Sequence, residues 1–183
     1  MTYYGPKDLA DSFRTVRKNT LIIAEEIPQE KYSFTAAPET RSVAQMLTHM
    51  AMVPRFHYKL HALERRTSME GFDFRALLQE AMAEEQKPRS KAQILDMLRE
   101  GGEQWAGWLE GLSEDFLRER VSMPAGTAVA TKSRFELLLS VKEHEMHHRA
   151  QLMLIQRMLG LVPHLTRQMQ ARLAETTPAA ATT

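Results

Sequence analysis

Three helix starts are marked along this chain by a serine followed three residues later by glutamine or glutamate: Ser42 with Gln45, Ser90 with Gln93, and Ser133 with Glu136. Each pair can close a reciprocal cap, the serine hydroxyl accepting from the later backbone N–H while the longer side chain accepts from the serine's own N–H. Each also opens a stretch with apolar residues at helical spacing. Long helices are therefore predicted from Ser42 towards Arg66, from Ser90 to Leu109 and from Ser133 to Leu159. A fourth is predicted from Pro6, where proline suits a first turn, through Leu9, Phe13, Val16, Leu21 and Ile23 until Pro28 stops it. Four long helices in 183 residues point to an all-α four-helix bundle.

The interruptions carry information too. Pro54, inside the second helix, predicts a kink or break just beyond His49, because the ring removes an N–H and crowds the preceding turn. Gly101 and Gly102 weaken the third helix by about 1 kcal/mol each relative to alanine and mark a thin spot or close approach. Between the second and third helices, Phe74, Leu77, Leu78 and Met82 suggest a short accessory helix in a connection long enough to cross over. Residues 111–132 read as a brief helical turn at Ser113-Glu114-Asp115, then a surface loop around Met123-Pro124-Ala125-Gly126. A short helix from Pro163 to about Leu173 follows the stop at Gly160. One domain is expected over residues 1–175, with a mobile tail over residues 176–183 that has almost nothing to bury.

Composition removes several classes of function. With 24 basic and 23 acidic side chains the net charge is +1, too balanced for the field that nucleic-acid binding requires, so no nucleic-acid partner is expected. The absence of cysteine excludes disulfides, a thiolate nucleophile and sulfur ligation, and leaves nitrogen and oxygen as the only metal donors. The opening residues lack the apolar core of a secretory signal, and no apolar run reaches the roughly 18 residues of a membrane span. No membrane partner and a cytoplasmic location are expected.

Chemistry concentrates on histidine. His144 and His148 are four apart, so on a helix both imidazoles reach one ion, and the same face carries Leu137, Val141, Leu152, Ile155 and Leu159. Two ligands on one helix do not close a site, and a third must come from another helix. His49, aligned with Met46, Val53, Phe56 and Leu60, supplies it. Three histidines around a divalent ion leave positions open to water or substrate, the arrangement of a catalytic metal. The competing reading is a bundle without metal, in which each histidine is hydrogen-bonded in the core or exposed. His57 and His61 form a rival pair four apart, but they project away from His49 around the helix. His147 lies off the His144–His148 line, as a neighbour that could donate to a ligand or act in proton transfer. His164, near a helix start, is expected at the surface. The twelve methionines read as core filler.

Two segments resemble the DinB family, the DinB/YfiT-like metalloenzymes, within a likeness that extends over roughly residues 9–160. Ser42-Val43-Ala44-Gln45-Met46-Leu47-Thr48-His49 is similar to the family's second-helix segment ending in its first metal histidine. His144-Glu145-Met146-His147-His148-Arg149-Ala150-Gln151 is similar to its fourth-helix signature, with Ala150 where the family often has glycine. The resemblance implies an up-down-down-up bundle with His49, His144 and His148 as ligands to nickel, zinc or a similar ion, and frequently a homodimer. Some relatives act on low-molecular-weight thiols, as bacillithiol transferases and mycothiol-dependent isomerases do. The expected function is thus a metal-dependent thiol S-transferase or hydrolase with a small-molecule substrate. The alternative is a non-enzymatic metal- or ligand-binding bundle with a stress-related or structural role. No catalytic residue is assigned, and Arg149 and Gln151 are expected at most to support the ligands.

Overall fold

All three serine caps form. Ser42 Oγ accepts from the Gln45 N–H at 3.3 Å while Gln45 Oε1 accepts from the Ser42 N–H at 2.9 Å, and the same reciprocal pair closes at Ser90 and Gln93 and at Ser133 and Glu136. The structure, a computed structural model, describes residues 4–176. Within them the helices are α1 (Pro6–Glu26), α2 (Val43–Tyr58), α3 (Phe74–Gln86), α4 (Lys91–Glu110), α5 (Glu114–Arg118), α6 (Arg134–Met158) and α7 (His164–Thr176). The four long ones, α1, α2, α4 and α6, make the bundle, and α3, α5 and α7 are accessory.

Side-chain contacts fix the directions. Along α1 and α4, Arg14 meets Glu103 and Glu110 while Arg99 meets Glu25, so these two run antiparallel. Along α1 and α6, Tyr4 meets Phe135, Arg17 meets Glu145 and Glu26 meets Gln156, so these run parallel. Ala51 lies beside Gly101 and Tyr58 beside Trp108, making α2 parallel to α4. The order in sequence is therefore up, down, down, up. The connection carrying α3 is the crossover that lets α4 run the same way as α2.

Height along the bundle is sorted by polarity. At one end Ile23, Leu47, Ile94, Leu98, Leu152 and Ile155 form an apolar cluster, and at the other Phe13, Trp105, Leu109, Leu138 and Val141 form a second. Between them on α1 lies Arg17, on α4 Gly102 and on α6 Glu145 and His148, so the middle of the bundle is a polar layer. Arg17 and Glu145 are 5% and 3% exposed at their side chains and form a two-pronged ion pair, with Nε to Oε1 at 2.8 Å and Nη2 to Oε2 at 2.8 Å. The guanidinium also donates to the Leu98 carbonyl on α4 and, at 3.3 Å, to the Met50 carbonyl on α2. Pro54 explains the last of these. An ordinary residue there would give its N–H to the carbonyl four residues back, which is Met50; proline has none, and Arg17 takes the vacated acceptor.

Pro54 does not break α2, contrary to one of the two expectations. The helix runs through it and loosens only at Lys59–Leu63, a single π-turn, before Arg65 turns the chain at φ 47°. The surface loop expected around residues 123–126 is present, but it is flanked by two three-residue strands that were not expected, β1 (Arg120–Ser122) and β2 (Thr131–Ser133), paired antiparallel with Val121 fully buried. α7 runs three residues past Leu173 to Thr176, so the first residue of the expected tail is helical; residues 177–183 lie outside the described residues.

The two neighbouring glycines of α4 have opposite roles. A Cβ on Gly102 would stand 3.0 Å from Arg17 Cγ and 3.1 Å from Nη1, atoms held by the ion pair, whereas one on Gly101 would meet only the Ala51 carbonyl at 3.8 Å. Gly102→Ala is expected to destabilise, because overpacking of about 1–3 kcal/mol outweighs a helix-propensity gain of about 1 kcal/mol. Gly101→Ala is expected to stabilise by up to about 1 kcal/mol. Thermal unfolding of the two variants checks this; shifts of the same sign would contradict the close approach at Gly102.

Candidate metal centre

α2 and α6 bring His49, His144 and His148 together, while His57, His61, His147 and His164 stay out of the cluster. The ligand nitrogens of the three lie within 4.8 Å of one another. His49 Nε2 is 3.0 Å and His148 Nε2 3.2 Å from His144 Nε2. Two nitrogens each about 2.1 Å from one ion stand about 3.0 Å apart at a right angle and about 3.4 Å apart at the tetrahedral angle, so both spacings fit a shared divalent ion.

The outer nitrogens decide which atoms face inward. His49 Nδ1 donates to Glu85 Oε1 at 2.8 Å, and His148 Nδ1 donates to Gln151 Oε1 at 2.7 Å. Since a carboxylate and an amide oxygen only accept, both rings carry their proton on Nδ1 and aim an Nε2 lone pair at His144. Two acceptors on one nitrogen is a poor arrangement for imidazoles alone and a suitable one for a cation between them. Burial holds all three rings in the neutral, lone-pair form. It lowers His49, with Arg41 adding to the effect, and lowers His148; it pushes His144 down to about 4, with the His148 and His49 rings contributing.

Glu85 is the residue that sequence reading missed. It is the buried residue of α3, and its carboxylate also accepts from Arg41 Nε at 2.7 Å and Nη2 at 3.2 Å. Of the apolar residues that suggested α3, Phe74, Leu78 and Met82 are 44%, 53% and 51% exposed and Leu77 is half-buried on a cavity against α2, so the residue that the helix buries is an acid while its apolar side stays largely open. The one available signal was Arg41 at the entry to α2, a cation that needs a partner. On α6 the buried row is Arg134, Leu138, Val141, Glu145, His148, Leu152 and Ile155, with Leu138 replacing the expected Leu137 and Glu145 unanticipated.

The remaining histidines are accounted for. His147 is exposed and accepts from Gln151 Nε2 at 3.3 Å, so it steadies the amide that orients His148. His164 is buried, not at the surface as expected, because α7 folds back and its Nε2 donates to Asn19 Oδ1 at 3.0 Å. His57 and His61 stack with ring centroids 5.7 Å apart, and His61 Nδ1 accepts from the fully buried Arg134 at 3.0 Å. Burial pushes His57 down to about 3 and His61 to about 4, the latter with the Arg134 charge adding.

These two rings set an acid limit. In the unfolded chain they protonate near the ordinary value of 6.5, in the folded chain only well below it, so the unfolded state binds more protons in between and stability falls as pH drops. Urea unfolding should lose about 1 kcal/mol per buried histidine between pH 6 and pH 5. His61→Asn keeps an acceptor for Arg134 and should flatten that slope; an unchanged slope would mean His61 titrates normally.

Two cavities adjoin the cluster. One of about 490 Å³ between α2 and α3 has His49 in its wall with Met52, Val53, Phe56 and Leu77. The other, about 810 Å³, is the more polar of the two and has His148 and Glu85 in its lining beside Arg41, Gln45, His147 and Gln151. No helix among the described residues is long and apolar enough to cross a membrane.

Comparison with known proteins agrees with this architecture. YfiT from Bacillus subtilis, described as a "probable metal-dependent hydrolase with an unusual four-helix bundle topology", is 16% identical with a TM-score of 0.66, over 88% of this chain and 91% of that one. A DinB-like protein from Bacillus cereus is 17% identical with a TM-score of 0.63, over 88% and 97%. A DinB-like protein from Bacillus subtilis is 20% identical with a TM-score of 0.58, over 83% and 92%. No curated protein sequence matches. The sequence profile of the DinB family matches residues 2–177. The chain, a four-helix bundle with three convergent histidines, belongs to the DinB family.

Proposed function

We propose that this protein is a metal-dependent enzyme of thiol S-transferase or hydrolase type, with His49, His144 and His148 holding one nickel or zinc ion. The observation that carries this is an incomplete donor set. Among the described residues three nitrogens converge and no fourth donor joins them, while the nearest carboxylate, Glu85, is turned away to His49 Nδ1 and Arg41. An ion held there supplies Lewis-acid polarisation and makes a water or a thiol acidic enough to act as a nucleophile at neutral pH.

The chain's own groups do the rest. Glu85 and Gln151 hold the His49 and His148 rings in register, and Arg41 and His147 hold Glu85 and Gln151 in turn. The polar cavity gives a small-molecule substrate, including a low-molecular-weight thiol, access to His148 from solvent. The absence of cysteine fits a reaction in which any thiol arrives with the substrate. The description of YfiT as a hydrolase supports the hydrolytic branch. A cytoplasmic homodimer is part of the same reading.

The test is a screen of nickel- and zinc-loaded protein for thiol transfer and for ester and amide hydrolysis, alongside His148→Ala. Metal-dependent turnover in the wild type and none in the variant is the expected result. Stoichiometric metal with no turnover, and a fourth protein ligand seen by X-ray absorption, would favour the non-enzymatic binding bundle.

A further inference from the structure

We propose that the apolar cavity beside His49 takes the hydrocarbon part of an amphipathic monoanion, a medium-chain or aryl carboxylate whose charged end meets Arg55 and Lys59. This rests on the metal-site reading, since it names the substrate class of that site. The cavity's volume, about 490 Å³, lies within the roughly 300–1,000 Å³ of small-ligand pockets, and its walls are mostly apolar: Met52, Val53, Phe56, Leu77 and Leu78. His49 belongs to the same walls, so a molecule seated there lies against a metal ligand.

The charge at the cavity is selective. Arg55, in the last turn of α2, and Lys59, the residue that caps it in helical conformation, both line it and stand four apart, hence on one face. Neither is ion-paired among the described residues; Arg55 reaches only Met52 Sδ, at 3.9 Å. Arg14, Arg41, Arg66, Arg89 and Arg99, by contrast, all hold carboxylates. Glu80 also lines the cavity, on α3, but bonds to neither cation, which leaves a net positive charge beside a greasy interior. A neutral hydrocarbon would make no use of that charge, and a cation would be repelled by it. A carboxylate with an apolar body of about eight carbons satisfies both parts.

The test is isothermal titration calorimetry of the metal-loaded protein with sodium octanoate, octylammonium chloride and sodium butyrate. Octanoate should bind at one site, with octylammonium and butyrate each at least about tenfold weaker. Ala81→Phe, which fills the cavity from α3, should weaken octanoate by about tenfold, and Arg55→Ala with Lys59→Ala by about fivefold, all with wild-type metal content. Equal affinity for octylammonium, or indifference to Ala81→Phe, would overturn the assignment. So would a wild-type dimer that ignores octanoate and dissociates on Leu78→Glu in sedimentation, which would make this face an interface between copies. Octanoate binding by a wild-type protein that takes up neither nickel nor zinc would support the anion site while refuting the metal-enzyme reading.

Discussion

Alanine at His144 or His148 is expected to yield a folded protein that no longer retains a divalent ion. The two share one face of α6, their Nε2 atoms 3.2 Å apart, and with His49 they are the whole donor set among the described residues, so either loss leaves two nitrogens and an open half-sphere. Folding should survive, because neither ring belongs to the apolar clusters that hold the two ends of the bundle. Glu85→Gln should lie between these variants and the wild type. The amide can still accept from His49 Nδ1, but it loses the charge that makes the ring a stronger ligand and leaves Arg41 unpaired, a change worth about 10- to 100-fold in metal affinity. Two measurements check the series: metal content after gel filtration, and the melting temperature against added nickel or zinc. An ion that binds only the folded chain stabilises it by about 2.7 kcal/mol at a hundred times its Kd, so the wild-type melting temperature should climb and that of the alanine variants should not. A folded His148→Ala protein with full metal content would sink the site.

What could be read in advance divides by the range of the interaction. The caps at Ser42, Ser90 and Ser133 each involve groups three residues apart, and the His144–His148 pair spans one turn, so local spacing announced them. His49 could be joined to that pair because its helix, too, has an apolar stripe that had to face the core. The partners of these residues were illegible. Glu85 lies 36 residues from His49, on a helix whose apolar side suggested the opposite orientation, and Glu145 lies 128 residues from Arg17. In sequence each looks like one more charged residue on a solvated helix face. Burial of His164 likewise depends on α7 folding back beside α1, which helix punctuation cannot foretell. The small β1–β2 hairpin was missed because three residues carry too little alternation to distinguish a strand from a loop.

The Arg17–Glu145 pair carries the second large expected effect, on stability. Glu145→Ala leaves a guanidinium in the middle of the bundle with carbonyl partners but no paired carboxylate, and Arg17→Met leaves a carboxylate with no hydrogen-bond partner and only Arg149, one turn along α6, as a counter-charge, in a layer where both side chains are at most 5% exposed. Each single change should cost about 3–5 kcal/mol, since the surviving charge keeps its desolvation penalty without its partner. Arg17→Met should be the worse, because it also orphans the Met50 carbonyl that Pro54 cannot satisfy and opens a space beside Gly102. Arg17→Met combined with Glu145→Leu should then recover much of the loss, because no charge remains buried. A double variant less stable than either single one would show the pair to be a net source of stability. Metal binding gives an independent reading of the same pair. Glu145 sits on α6 between His144 and His148, so the pair that fixes α6 against α1 also fixes the pitch at which the two imidazoles meet His49. The double variant, even if folded, should therefore bind nickel or zinc more weakly than the wild type, although no ligand has been touched. Unchanged affinity would confine the pair to holding up the fold.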